Sequence, residues 1–160
     1  MPNPAKPSFP PFRERAPWWG ADLQTLRNVF FAVEASRPGS GPRRIGLPLS
    51  DGSGDVLACH LEQPLPDAGG DRPRRELVVL IHGLSGSAES QYIHASTRHW
   101  LDRGHPVARL DLRGAGASGP SCRFSYHAGR SEDLRAALVA LDIAEPGLLA
   151  EGVAIVGYSL

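Results

Sequence analysis

Three short strand-like segments, Leu77–Ile81, 107–112 and 153–156, constrain this chain more than any other feature. Leu77-Val78-Val79-Leu80-Ile81 holds no polar residue, as expected of a strand covered on both faces in a parallel sheet. Stretches of helical period separate these segments. Residues 89–102 place Ile93, Trp100 and Leu101 on one side, and Gly104 follows as a stop. A second helix starts at Ser131, read as its cap, with Glu132 and Asp133 in the first turn where the dipole favours acids. Leu134, Ala137, Leu138 and Leu141 recur on one face of it, and Pro146-Gly147 ends it. Upstream, residues 45–49 and 56–61 alternate like strands around Asp51-Gly52-Ser53-Gly54, a hairpin signal. The order is β-hairpin, β, α, β, α, β. It predicts an α/β fold with right-handed crossovers and a mostly parallel sheet.

Composition narrows the function. Residues 1–40 form a proline-rich lead (Pro2, Pro4, Pro7, Pro10, Pro11, Pro17) with a short helix expected over 21–33; residues 41–160 are the domain. Trp18-Trp19 argues that the lead packs along the domain. Lys and Arg total 17 against 17 Asp and Glu, with no basic run, so a nucleic-acid partner is not expected. The only lysine is Lys6, which excludes a P-loop and a Ser-x-x-Lys site. Cys59 and Cys122 have no metal-ligand spacing and suggest a reducing, cytoplasmic setting. No apolar run approaches the ~18 residues of a membrane span, and the N-terminus has no secretory h-region. Trp18, Trp19, Phe30 and Phe31 are the residues able to touch a membrane surface, but burial against the domain accounts for them better.

Chemistry gathers after the apolar runs. Gly157-Tyr158-Ser159 follows one of them, as in a Gly-x-Ser-x-Gly nucleophile elbow; glycine there is expected because a side chain two residues before the strained serine would collide. His82-Gly83-Leu84 follows another, where a backbone amide would join the amide after the nucleophile in an oxyanion hole. The candidate donors are the N–H groups of Leu84 and Leu160, with Ser159 as nucleophile. Gly114-Ala115-Gly116-Ala117-Ser118-Gly119 matches G-x-G-x-x-G, yet Pro120 follows and the next helix begins only near Ser131, so a loop is favoured over a dinucleotide site. The histidines have no metal-site spacing, and neither a metal nor another cofactor is expected. Asp111, His127 and Ser159 have the composition of a triad but not the chain order Ser, acid, His that accompanies the elbow.

These residues resemble the YheT-like branch of the α/β-hydrolase superfamily, which includes plant embryogenesis-associated hydrolases and animal ABHD-type lipases. The resemblance runs from about Phe9 to Leu160. Ala16-Pro17-Trp18-Trp19 with Leu23-Gln24-Thr25 is similar to its entry segment, although Asp22 stands where His is usual. Leu47 to Gly52, His82 to Ser87 with Tyr92-Ile93, Arg113 to Gly119, Tyr126-His127-Ala128-Gly129 and Glu132-Asp133-Leu134 are similar to its later elements. The resemblance implies the N-terminal part of an α/β-hydrolase fold, truncated at the elbow. It implies a serine hydrolase of carboxylic esters, of the short-chain carboxylesterase or acylglycerol lipase type, with a small-molecule or lipid ester as substrate. The family's acid and histidine lie after later strands, so the 160 residues alone are expected to be inactive, with 153–156 as an exposed edge. The alternative is a non-catalytic α/β-hydrolase-like remnant or binding scaffold.

Overall fold

The computed structural model describes residues 41–65, 75–127 and 129–159, with Arg13, Ala16, Pro17, Trp19 and Gly20. The helix expected over 21–33, the setting of Trp18 and the candidate donor Leu160 lie outside the described residues. The chain divides into two compact units, Met1–Ala32 and Val33–Leu160, and every element below belongs to the second.

The elements are β1 (Arg43–Pro48), β2 (Val56–Glu62), β3 (Leu77–Ile81), α1 (Gln91–Leu101), β4 (Val107–Leu110), α2 (Ser131–Ala144) and β5 (Val153–Gly157), with a 3-10 turn at Gly116–Ser121. They form a sheet of order β1-β2-β4-β3-β5. Strands β4 and β5 flank β3 in parallel, whereas the β1–β2 hairpin joins β4 antiparallel. The sheet is therefore mixed. Its parallel character is confined to β3, β4 and β5, because the hairpin extends it in the opposite sense.

Alternation along β3 explains its unbroken apolarity. Leu77 and Val79 pack in a cluster with Ala137 and Leu141 of α2, while Val78 and Leu80 pack with Ile93 of α1. The two helices thus cover opposite faces, and β3 has no solvent side on which a polar residue would be at ease. On the α2 face, Leu134 and Leu138 join the cluster from its edge, as their helical spacing requires. Truncating a residue such as the fully buried Leu80 to Ala would cost roughly 2–5 kcal/mol.

Several boundaries differ from expectation for identifiable reasons. The backbone amide of Leu49 donates to Asp55 O (3.0 Å), which closes the hairpin around residues 50–54, a longer turn than a two-residue Asp-Gly hairpin. Asp51 organises it by accepting the Ser53 amide at 3.0 Å. β4 ends at Leu110 rather than 112, because the Leu112 amide leaves the ladder to donate to His82 Nε2 (3.1 Å). The glycine loop tightens into the 3-10 turn: Ser118 Oγ donates to Asp111 O (2.8 Å) and accepts the Ala58 amide (2.7 Å). Ser131 is the first residue of α2 rather than its cap; Arg130 holds the cap position without a side-chain bond.

Asp133, in the first turn of α2, binds the guanidinium of Arg113 through both oxygens (2.9 and 2.7 Å). That guanidinium also donates to Asp55 (2.6 Å), Asp51 (2.8 Å) and the Ser53 hydroxyl (3.1 Å). One fully buried arginine therefore ties the hairpin turn, the segment after β4 and the start of α2 together. Those carboxylates, Asp133 first, raise the Arg113 pKa against the opposing effect of burial.

Candidate active site

Chain order and sheet order disagree at β3, and that disagreement positions the site. From β3 the chain runs through α1 to β4 on one side, then through α2 to β5 on the other. The C-terminal ends of β3 and β5 therefore meet at a topological switch point, where open α/β sheets form their ligand crevices. His82-Gly83-Leu84 leaves β3 there, and Tyr158-Ser159 leaves β5. The Tyr158 amide donates to Ile81 O (3.0 Å), so the ladder holds up to the start of both loops.

Ser159 adopts φ +45°, a left-handed conformation that costs a non-glycine residue roughly 1–3 kcal/mol. Close approach comes from the neighbouring strand. A Cβ built on Gly83 would lie 2.5 Å from Tyr158 O and 3.2 Å from Ser159 Cβ, so only glycine fits between β3 and the serine. The collision expected at Gly157 does not occur, since a Cβ there meets nothing within 4 Å. The tight position is Gly83.

The loop after β3 is braced from several elements. His82 is buried; its Nε2 accepts the Leu112 amide, which leaves Nδ1 as the donor to Gly83 O at 2.8 Å. Both ring nitrogens are thus occupied, and the imidazole is a brace rather than a base. Gly86 N donates to Gly83 O (3.0 Å) to close a turn in which Ser85 has φ +59°. The Gly83 amide donates to the Tyr92 hydroxyl (3.0 Å) and the Ser85 amide to the Tyr126 hydroxyl (2.8 Å). The Leu84 amide between them has no acceptor among the described residues. Such an amide, next to the glycine that touches the serine, is chemically suited to receive a developing oxyanion.

Asp111 is not directed at a triad. Its carboxylate accepts the Ala88 amide (2.7 Å), the Ala117 amide (3.0 Å) and, at 3.2 Å, the His60 ring. A Cβ at Gly116 would overlap the Asp111 carboxylate, so glycine is required for this contact. Burial opposes the charge on Asp111, but the His60 bond and the two amides outweigh it and pull its pKa below the usual range. His127 Nδ1 accepts the Gly129 amide within its own loop (3.2 Å). The internal set Asp111, His127 and Ser159 is therefore not assembled. Beneath the loop, buried Arg109 donates to Ala88 O (2.9 Å) and pairs with Glu62 (2.9 Å) and Glu89 (3.2 Å).

Four contributors escaped sequence reasoning: His60, Tyr92, Arg109 and Tyr126. Tyr92 and Tyr126 stood only among the residues of the family resemblance, with no role. A histidine and an arginine inside otherwise apolar strands were the available signals for His60 and Arg109. Among the described residues no group of three or more His, Cys, Asp or Glu side chains is placed to hold a metal ion. No described helix is long and apolar enough to cross a membrane.

No family model matches the chain, and no curated protein does. Solved structures do. An α/β serine hydrolase without lid from Xanthomonas campestris matches 75% of this chain and 51% of its own, at 22% identity and TM-score 0.56. Est1E of Butyrivibrio proteoclasticus, with ferulic acid bound, matches 72% of this chain and 42% of its own at 22% identity and TM-score 0.54. An esterase of Pyrococcus furiosus matches 73% and 41% at 18% identity and TM-score 0.56. The chain spans about half the length, or less, of these structures. The likeness shows the α/β-hydrolase fold, represented by part of its length.

Proposed function

We propose that this chain is the N-terminal half of a serine hydrolase of carboxylic esters, with Ser159 as nucleophile and the amides of Leu84 and Leu160 as oxyanion donors. The observation that carries the reading is the left-handed Ser159 against Gly83, beside an amide with no acceptor among the described residues. The YheT-like resemblance favours a short-chain carboxylesterase or acylglycerol lipase. The neighbours, one described as an esterase and one as a serine hydrolase, support the same chemistry. Two free cysteines, Cys59 and Cys122, suit a cytoplasmic setting; burial pushes the Cys59 thiol up to about 12, which leaves it unreactive.

In this reading the Ser159 hydroxyl attacks the ester carbonyl and passes its proton to a histidine. The carbonyl oxygen becomes an oxyanion held by the two amides. Collapse expels the alcohol, which takes that proton, and water then releases the acid from the acyl-serine. Asp111 and His127 are engaged elsewhere, and in this reading the acid and the histidine belong to later strands, as the family resemblance implies.

The test is hydrolysis of p-nitrophenyl acetate by the full-length protein, by its Ser159→Ala variant and by the 160-residue chain. The expected loss in the variant is about 10⁴-fold or more, and the 160-residue chain is expected at background. Full activity in the variant would move the nucleophile elsewhere. No activity in the full-length protein would favour a non-catalytic scaffold.

A further inference from the structure

Three consecutive amides follow β3, and two of them end on tyrosine hydroxyls. Gly83 N–H meets Tyr92, which α1 supplies, and Ser85 N–H meets Tyr126, from the loop before α2. The hydroxyls arrive from different elements and take the amides on either side of Leu84. We propose that Tyr92 and Tyr126 are positioning residues, a bracket that leaves the Leu84 N–H as the oxyanion donor and fixes where it points.

Three further observations converge on the bracket. Ser85 sits at φ +59° without being a glycine, a conformation that needs support from outside the turn. The Tyr126 hydroxyl supplies it by accepting the Ser85 amide, and its ring meets His82 edge-on at 5.6 Å. Gly86 leaves room for the other arm, since a Cβ there would lie 2.5 Å from the Tyr92 hydroxyl. The Tyr92 ring in turn packs 5.0 Å from the ring of Tyr158, whose hydroxyl is bonded to Ser96 of α1. One arm therefore holds the loop after β3 and also touches the residue before Ser159. Oxyanion stabilisation depends on donors fixed before charge develops. A turn with a strained serine would not hold its central amide by itself.

The inference rests on the ester-hydrolase reading, and its test keeps the two separable. Tyr92→Phe and Tyr126→Phe remove one hydroxyl each and keep the rings. In the full-length protein, kcat for p-nitrophenyl acetate is expected to fall about tenfold or more in each variant, with KM changed by less than about twofold. Amide hydrogen exchange over residues 83–86 is expected to accelerate, while the melting temperature moves by no more than about 3 °C. Wild-type kcat in both variants overturns the bracket and leaves the ester-hydrolase reading standing. A rise in KM at constant kcat also overturns it, because the hydroxyls would then serve substrate binding. An inactive parent protein overturns the ester-hydrolase reading and the bracket's catalytic role with it, whatever the exchange shows.

Discussion

A single hydrogen atom at position 83 decides how near the loop after β3 comes to Ser159. The built Cβ at 2.5 Å from Tyr158 O is closer than any relaxed contact, and the obstacle is backbone, which cannot rotate away. Gly83→Ala must therefore push the loop and the serine apart. A displacement of about an ångström at a reacting centre costs on the order of 10²-fold in rate, and that loss is expected in esterase assays of the full-length variant. A variant within about twofold of the parent would mean that the close approach does not matter to turnover. The importance of His82-Gly83-Leu84 was legible in the sequence because a glycine after a buried strand is a recognisable signal. The crowding was not, since it depends on Tyr158, many residues away in the chain.

At the scale of elements, the Arg113 cluster joins parts of the fold that apolar packing alone leaves loosely tied. Asp55 and Asp133 are buried around the guanidinium, so Arg113→Ala strands two carboxylates away from water. Breaking a buried ionic set by removing one partner costs roughly 3–5 kcal/mol, which urea unfolding would read; a loss under about 1 kcal/mol would contradict the hub role. The same cluster makes a pH prediction. The Asp51 pKa is lowered from 3.8 to about 2, mainly by the Ser53 hydroxyl, then by the Ser53 amide and Arg113. Its folded value lies below its unfolded one, so its stabilising effect is complete above pH ~4 and lost as pH falls through ~2. Acid unfolding followed by tryptophan fluorescence should therefore show an Asp51-dependent component between about pH 4 and pH 2. Asp51→Asn should remove that component, and its persistence in the variant would contradict the assignment. Strands and helices were legible from periodicity, for example Ala137 and Leu141 at helical spacing. The 3-10 turn and the early end of β4 were not. Both are set by long-range bonds, Ser118 to β2 and Leu112 to His82, that leave no local pattern.

For the molecule as a whole, chirality and sheet order bring two loops together at β3, and the candidate site needs that topology as well as its two local motifs. The mixed sheet was only partly legible, because nothing in residues 45–61 says that the hairpin will join β4 antiparallel. The far side of the sheet carries the other consequence. Among the described residues β5 has one strand neighbour, β3, and Ile155 is about half exposed at 49%. An edge strand with an exposed apolar residue is a template for self-pairing. The 160-residue chain is expected to scatter light increasingly with concentration, and Ile155→Lys to reduce that scattering; an unchanged profile would show that β5 is not the site of association.

The site of covalent modification reports directly whether Ser159 is the nucleophile. The full-length protein is treated with a fluorophosphonate that reacts with activated serines, digested, and mapped by mass spectrometry. A single phosphonylated residue is expected, Ser159, and none in the Ser159→Ala variant. A label on another serine, or no label in a protein that hydrolyses esters, would contradict that assignment.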